Sequence, residues 1–501
     1  MSKRIIFFII FLFIIKCMEV PEKLKHICPE GCKKYFYCDE KAKKCTFKGF
    51  FPLYPLELLE LFVLMISSSL ATSCGIGGGI VYSSMILGVE ELEPSQAFPI
   101  SNFLILLCGF VTFISFTLDK YQHPKNQFIN YDIATIFAPS MLVGAKFGTI
   151  LNKILPSSLL LILLSFLICF TTRKTYYNIL KAKAKEAQLD LKNKEKFLEE
   201  SINKNKDNQN NFDHNLTNKL INSIITEDGD DNQDKIDFSN IIKKGSESIN
   251  NFEREKSLTE EEQKIINEDE NPLNWERINY ILFLECVVII DQLLEGSNRV
   301  PSFIGIKKCS FFYWLCFLIY VGITFYFVKI SLNKVYDHIE KKKRLFPNFS
   351  SEVINNVEKN TSFVVGISII AGIVSSALGL GGGMITNPVF ASLGMDPKQS
   401  STTSNFLIIV TAIASSFIFI LSGQLEIWYS ICLGFFCTCA ALVGSFYILK
   451  YINKTGKSSI LLVIMEYFLV ISFFISIYKL ITLDLKGYTF FESLFITNRF
   501  C

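Results

Sequence analysis

Histidine is almost missing from this 501-residue chain: there are 4, widely scattered, with no H-E-x-x-H or other metal-ligand spacing. A histidine-built metal centre is therefore not expected. Signals for enzyme chemistry are equally thin. "TGKSS" at 455–459 imitates the end of a phosphate loop, but no glycine stands five residues before Gly456, so a short inter-helix turn explains it. Charge is scarce as well, at 19 % Asp, Glu, Lys and Arg, and the net value of +3 averages an almost neutral body with charged loops. No nucleic-acid footprint is expected from that balance. Nor do the apolar runs alternate with polar residues, which excludes a transmembrane β-barrel.

What the chain does have is apolar length. Half of its residues are hydrophobic, 47 of them phenylalanine, and the mean hydropathy is positive. Runs approaching or reaching the ~20 residues that cross a bilayer recur: Leu56–Leu70, Ala97–Leu118, Ser157–Thr172, Phe311–Ile330, Phe363–Ala377, Asn405–Ser422, Trp428–Leu449 and Ser459–Leu480. The reading is an all-α polytopic membrane protein, embedded in lipid along the secretory pathway, in plasma membrane or endomembrane.

The amino end, "MSKRIIFFIIFLFIIKC", has the basic start and short apolar run of a signal peptide over 1–17, an uncleaved anchor being the alternative. An 18–55 segment follows with Cys28, Cys32, Cys38 and Cys45. An even set just after a signal peptide suggests two disulfides of undetermined pairing in a luminal or extracellular module. Zinc is the rival, but paired C-x-x-C knuckles are missing. The other eleven cysteines are dispersed, several in apolar segments where a thiol packs as a small hydrophobe.

Composition then divides the chain. The first membrane block runs over 56–180, and a charged Asn-, Lys-, Asp- and Glu-rich stretch over 181–275 reads as a disordered loop. Connecting membrane helices occupy 276–335, a basic connector 336–361, the second membrane block 362–482 and a tail 483–501. The two blocks repeat each other. "GIGGGI" at 75–80 returns as "GLGGGM" at 379–384, "PSQAFPISNFLI" at 94–105 returns as "PKQSSTTSNFLI" at 397–408, and "LVG" at 142–144 returns at 442–444. Internal repetition of this kind indicates transporter architecture with a site between the halves. Folding the chain back at the first glycines puts the Lys-rich loops in the cytosol, obeys the positive-inside rule and makes the halves inverted. One straight span over residues 56–88 is the alternative, and it puts the long basic loop outside.

Glycine in such runs lets the backbone turn and lets another group approach it. Irregular backbone at membrane depth is tolerated only inside protein or beside a cavity. Two half-helix starts facing one another would present N–H groups to an anion. The candidate site is therefore Gly75, Gly77, Gly78, Gly79, Ser101 and Asn102 from the first half, with Gly379, Gly381, Gly382, Gly383, Asn387, Ser404 and Asn405 from the second. Close packing of helices through small residues is the plainer use of the same glycines. Ser101–Asn102 and Ser404–Asn405 could equally act as caps. Among buried ionisable groups, Lys146 is expected to snorkel to the interface. Glu285 and Asp291 are expected on different faces of their helix, and Glu466 is a proton-carrier candidate.

The duplicated glycine runs with P-x-Q…S-N-F resemble the sulfite exporter TauE/SafE family of anion permeases. Further likenesses are the Cys-rich lead-in ending in "FPL" at 51–53, "HPK" at 123–125, "YD" at 131–132, Pro139, Gly144, Gly148, Asn152, Pro156 and "IGIKKCSFFYW" at 304–314. The resemblance covers nearly everything outside the 181–275 loop, which is the main departure. It implies a secondary transporter of sulfite, sulfonates or related small anions, with proton coupling an open alternative, no cofactor and no enzymatic activity. The first half lacks the proline that the second carries at 388, which puts the equality of the two half-sites in doubt. The competing reading is a multi-pass receptor or adaptor that binds protein partners through the Cys-rich segment and the long loop. Nothing in the residues fixes the oligomeric state.

Overall fold

The computed structural model describes residues 36–39, 44–47, 50, 53–74, 77–90, 92–122, 129–180, 273–297, 300–307, 310–346, 352–448 and 459–484, with isolated positions between 183 and 271. The signal-peptide reading, Cys28, Cys32, Gly75, nearly all of the 181–275 loop and the tail beyond 484 lie outside the described residues. Residues 178–268 form a separate unit, and the description below is of the rest.

A short antiparallel hairpin, β1 (Phe36–Asp39) with β2 (Lys44–Phe47), places Cys38 and Cys45 at facing positions in the register. Every other described element is helical. The first half supplies α1 (Pro55–Cys74), α2 (Gly79–Val89), α3 (Pro94–Gln122), α4 (Tyr131–Ile154) and α5 (Ser157–Leu180). Connectors follow as α6 (Trp275–Glu295), α7 (Phe311–Leu345) and α8 (Glu352–Lys359). The second half repeats the first with α9 (Thr361–Leu378), α10 (Gly383–Ser392), α11 (Pro397–Ser422), α12 (Ile427–Val443, widening into a π-turn at Gly444–Ile448) and α13 (Ser459–Asp484). The chain between 56 and 88 is thus two helices, not one straight span.

Local sequence explains the boundaries. Pro55, Pro94 and Pro397 open α1, α3 and α11, where the missing N–H costs nothing. Asn130, Asn274 and Ser310 each accept a hydrogen bond from the backbone N–H three residues on, at 3.1–3.3 Å. Such caps contribute about 1 kcal/mol apiece.

Nine of the described helices are long and apolar enough to cross a membrane. One of them, α4, is not among the apolar runs picked out from the sequence. Polar residues dilute it to a mean hydropathy of 1.4, and 89 % of its most apolar 18-residue stretch is buried inside the protein, so it needs little lipid-facing side. By contrast the corresponding stretches of α7 and α13 are only 28 % and 22 % buried, so these helices are the outer ones.

The halves interlock. One apolar core gathers α1, α2, α3 and α5 with α12 of the second half, and the other gathers α9, α10 and α11 with α4 of the first. The pairings repeat: α4 packs on α9 and α11 as α12 packs on α1 and α3, with α3 against α11 at the centre. The "LVG" echo now has its reason. An added Cβ on Gly144 would strike the Ile369 carbonyl of α9, and one on Gly444 would strike the Ser69 carbonyl of α1. Each glycine lets its helix touch the backbone of a helix that leads into a glycine run.

Candidate functional site

The two glycine runs stop one helix and start another. Gly379 ends α9 at φ +63°, Gly381 follows at +73°, and its counterpart Gly77 stands at +72°. A side chain at these three positions would be strained, so glycine is required there. Gly78 and Gly382 then precede α2 and α10, and neither helix start is capped by a side chain. Their first backbone N–H groups thus have no side-chain acceptor from the cap position.

The runs come from opposite halves and touch. A Cβ on Gly79 would lie 2.5 Å from the Leu380 carbonyl oxygen, and one on Gly379 would lie 2.6 Å from the Phe98 carbonyl oxygen. Ser101 Oγ lies 2.7 Å from the Gly379 carbonyl and 3.2 Å from that of Gly79, donating across the junction. Ser83 Oγ donates to the same segment, 3.1 Å from the carbonyls of Leu378 and Gly379. On the second side Ser404 Oγ pairs with Thr386 Oγ1 at 2.6 Å. The two serines therefore fasten the loops.

The asparagines cross over. Asn102 Nδ2 donates to the Ser376 carbonyl at 3.4 Å, three residues before the second run, while its Oδ1 and the Ser376 hydroxyl are buried without partners. Asn405 Nδ2 lies 3.5 Å from the Gly109 carbonyl and lines a small cavity beside the first run with Thr72, Gly77, Gly78, Tyr82 and Thr112. This cavity has room for about one water molecule. Asn387 is turned to the start of α11, where its Oδ1 and carbonyl accept from Ser400 Oγ at 2.6 and 2.8 Å. Gly75 is outside the described residues.

Three further participants were not among the candidate site residues. Tyr82 lies over Gly78, where a Cβ would come within 2.5 Å of the ring, and its hydroxyl reaches Cys108 Sγ at 3.8 Å. Counting from the glycines, Tyr82 matches Thr386, so aligning the repeat past the runs would have exposed the substitution. Asn152 donates to the Ala377 carbonyl at 2.8 Å and accepts from Gln424 Nε2 at 3.4 Å, which braces the second run from behind. Asn152 was noticed for resemblance, but its role needed the fold; Gln424 gave no signal.

Two expectations about charge are overturned. Lys146 does not snorkel: it is 1 % exposed and paired with Asp291 and, at 2.8 Å, with Glu295 of α6. Glu285 and Asp291 do share a buried stripe of α6, together with Ile281, Leu284, Val288, Gln292 and Glu295. Cys437 is buried and Cys439 half-buried, as packing thiols. Cys432, by contrast, is disulfide-bonded rather than free. Among the described residues no cluster of His, Cys, Asp and Glu could hold a metal ion.

Comparison with known proteins follows this geometry. The family model described as "Sulfite exporter TauE/SafE" matches residues 4–175 and 309–478, which are the two repeated blocks with their lead-ins. "Sulfite exporter TauE/SafE family protein 1" of Arabidopsis thaliana is 22 % identical over 440 residues, covering 85 % of this chain and 84 % of that protein. "Sulfite exporter TauE/SafE family protein 3" of the same plant is 25 % identical over 404 residues, covering 79 % and 73 %. No solved structure matches.

Proposed function

Since the chain belongs to the sulfite exporter TauE/SafE family of membrane transporters, we propose that it is a secondary transporter of small sulfur-containing anions, sulfite or sulfonates foremost, coupled to protons. The observation that carries the reading is the contact between matched glycine runs from opposite halves, each leading into an uncapped helix start, α2 and α10. Helix starts concentrate partial positive charge, and bare glycine backbone lets an anion come close to it. The amide Nδ2 groups of Asn102 and Asn405, held only by long bonds to the Ser376 and Gly109 carbonyls, are the donors that could turn to such a ligand.

The space beside the first run holds about one water, so a sulfite-sized anion needs the site to open. Tyr82 is the group in the way on the Gly78 side, and we assign it the role of gate. Alternating access then exchanges which end of the interlocked halves parts around the site. Folding back at the glycines, an inverted relation of the halves and cytosolic basic loops are part of this proposal. An adaptor has no use for paired helix breaks, which disfavours the receptor reading.

Purified protein in liposomes, screened against sulfite, sulfate, thiosulfate and taurine, tests the function. Saturable uptake of at least one of them, with cross-inhibition among the rest, is expected. A folded protein that moves none would sink the transporter assignment for these anions.

A further inference from the structure

We propose that Glu285, beside the Lys146–Asp291–Glu295 ion cluster, is the proton-binding group of this transporter, loading and releasing one proton per cycle. The proposal rests on the transport function above and names the group that would couple it.

The cluster joins α4 to α6. Lys146 Nζ is held by Asp291 and Glu295 and lies over the Tyr320 ring at 4.5 Å and the Phe317 ring at 5.5 Å, both from α7. It has no room to reach water. Glu285 is 3 % exposed on the same stripe of α6, and neither of its carboxyl oxygens has a hydrogen-bond partner. Tyr320, also buried, interacts electrostatically with both Glu285 and Glu295. A buried carboxyl without a hydrogen-bond partner thus stands near the tyrosine that covers Lys146.

Charge balance identifies the carrier. Around the cluster α6 gives Glu285, Asp291, Glu295 and Cys286, α4 gives Lys146 and Lys153, and α7 gives Tyr313, Cys316 and Tyr320. The described side chains of α11, which also packs on α6, give no ionisable group. Lys146 faces Asp291 and Glu295, and Lys153 acts on Glu295 as well. Arg277, with Asp132 and His338, sits two helical turns away at the other end of α6. Among the described residues no cation pairs with Glu285. A bare carboxylate in apolar surroundings costs far more than a proton does, so in this conformation the group is the neutral acid. Release moves one proton from the carboxyl oxygen to water on the side that opens, leaving a carboxylate that Lys146 or water must then meet.

The helix that carries Lys146, α4, reaches the anion site. Lys146 lies between Gly144 and Gly148, whose bare backbones rest on the Ile369 and Ile373 carbonyls of α9. One turn beyond Gly148, Asn152 holds the Ala377 carbonyl, two residues before the second glycine run. A displacement of α4 caused by a charge change at Glu285 would be passed to that run through contacts with no slack.

The test uses the full chain in liposomes with the membrane potential clamped and protein-free vesicles subtracted. A gradient of one pH unit should sustain about tenfold accumulation of the singly charged hydrogen sulfite for one-to-one electroneutral coupling. Glu285→Gln should lose that accumulation while melting at or above the wild-type temperature, and Glu466→Gln should keep it. Infrared spectra of the protein at neutral pH, without substrate, give a second readout. The carbonyl stretch of a protonated carboxylic acid should be present in wild type and vanish in Glu285→Gln. Normal pH-driven accumulation by Glu285→Gln, a sodium gradient replacing the proton gradient, or an unchanged infrared band would each overturn the assignment. A Glu285-dependent band in a protein that moves no anion would leave the proton site standing and refute the transport reading instead.

Discussion

Adding one methyl group at Gly79 should force the two glycine loops apart. The Cβ of Gly79→Ala would sit 2.5 Å from the Leu380 carbonyl oxygen and 2.6 Å from Ile105 Cδ1. The isoleucine tip can turn away. The carbonyl cannot, because its neighbour Gly379 is fastened by Ser101 and Ser83. Side-chain carbons essentially never come within 3.0 Å of such an atom, so the loops must part by about 0.5 Å. Overpacking of this kind costs about 1–3 kcal/mol, and weakening the Ser101 bond adds about 0.5–1.5 kcal/mol. The helix-propensity gain of alanine over glycine, roughly 0.5–1 kcal/mol, offsets only part of this. A net loss of about 1–3 kcal/mol is expected, read as a lower melting temperature in detergent together with slower anion uptake. Gly366→Ala is the matched control: it lies inside α9 with nothing within 4 Å, so it should be neutral or slightly stabilising. Equal melting and equal uptake for the two variants would refute the contact between the loops.

Asn102→Ala or Asn405→Ala should each weaken anion binding by about 1–3 kcal/mol if each side chain bonds a charged ligand, measured by titration of the purified protein. A tag placed at Asp230 should be reachable only after permeabilisation, whereas labelling on intact cells, with the protein at the surface, would refute the cytosolic loop. Mass mapping without reduction should find Cys28, Cys32, Cys38 and Cys45 oxidised, and four free thiols there would refute the luminal disulfide module.

The two halves were legible because lipid demands long apolar helices and the repeat preserves their punctuation. Pro94 and Pro397, the glycine runs and the Ser-Asn pairs stand at matched places in the sequence and in the structure. Only the partners were hidden. Ser101 looks like a ligand donor in sequence, yet its hydroxyl is used between the Gly79 and Gly379 carbonyls, which come from opposite halves. Lys146 looked like an interfacial lysine because its acids lie 145 and 149 residues away on α6. The burial of α4 was likewise invisible, since a helix covered by protein on all sides needs less hydropathy than one facing lipid. Periodicity reports which face is apolar and is silent about which distant helix covers it.

Anion binding to folded Gly78→Leu and Gly382→Leu, compared with wild type, tests the paired glycine cage most directly. A Cβ at Gly78 runs into the Tyr82 ring and one at Gly382 into Met141 Cε, so each leucine also fills space at its helix start. Wild-type protein should bind sulfite with related oxyanions competing, because a backbone cage recognises charge and size more than chemical identity. Both leucine variants should lose that binding while retaining a cooperative thermal transition. Unchanged affinity in both folded variants would contradict the cage and leave these glycines as helix packing alone.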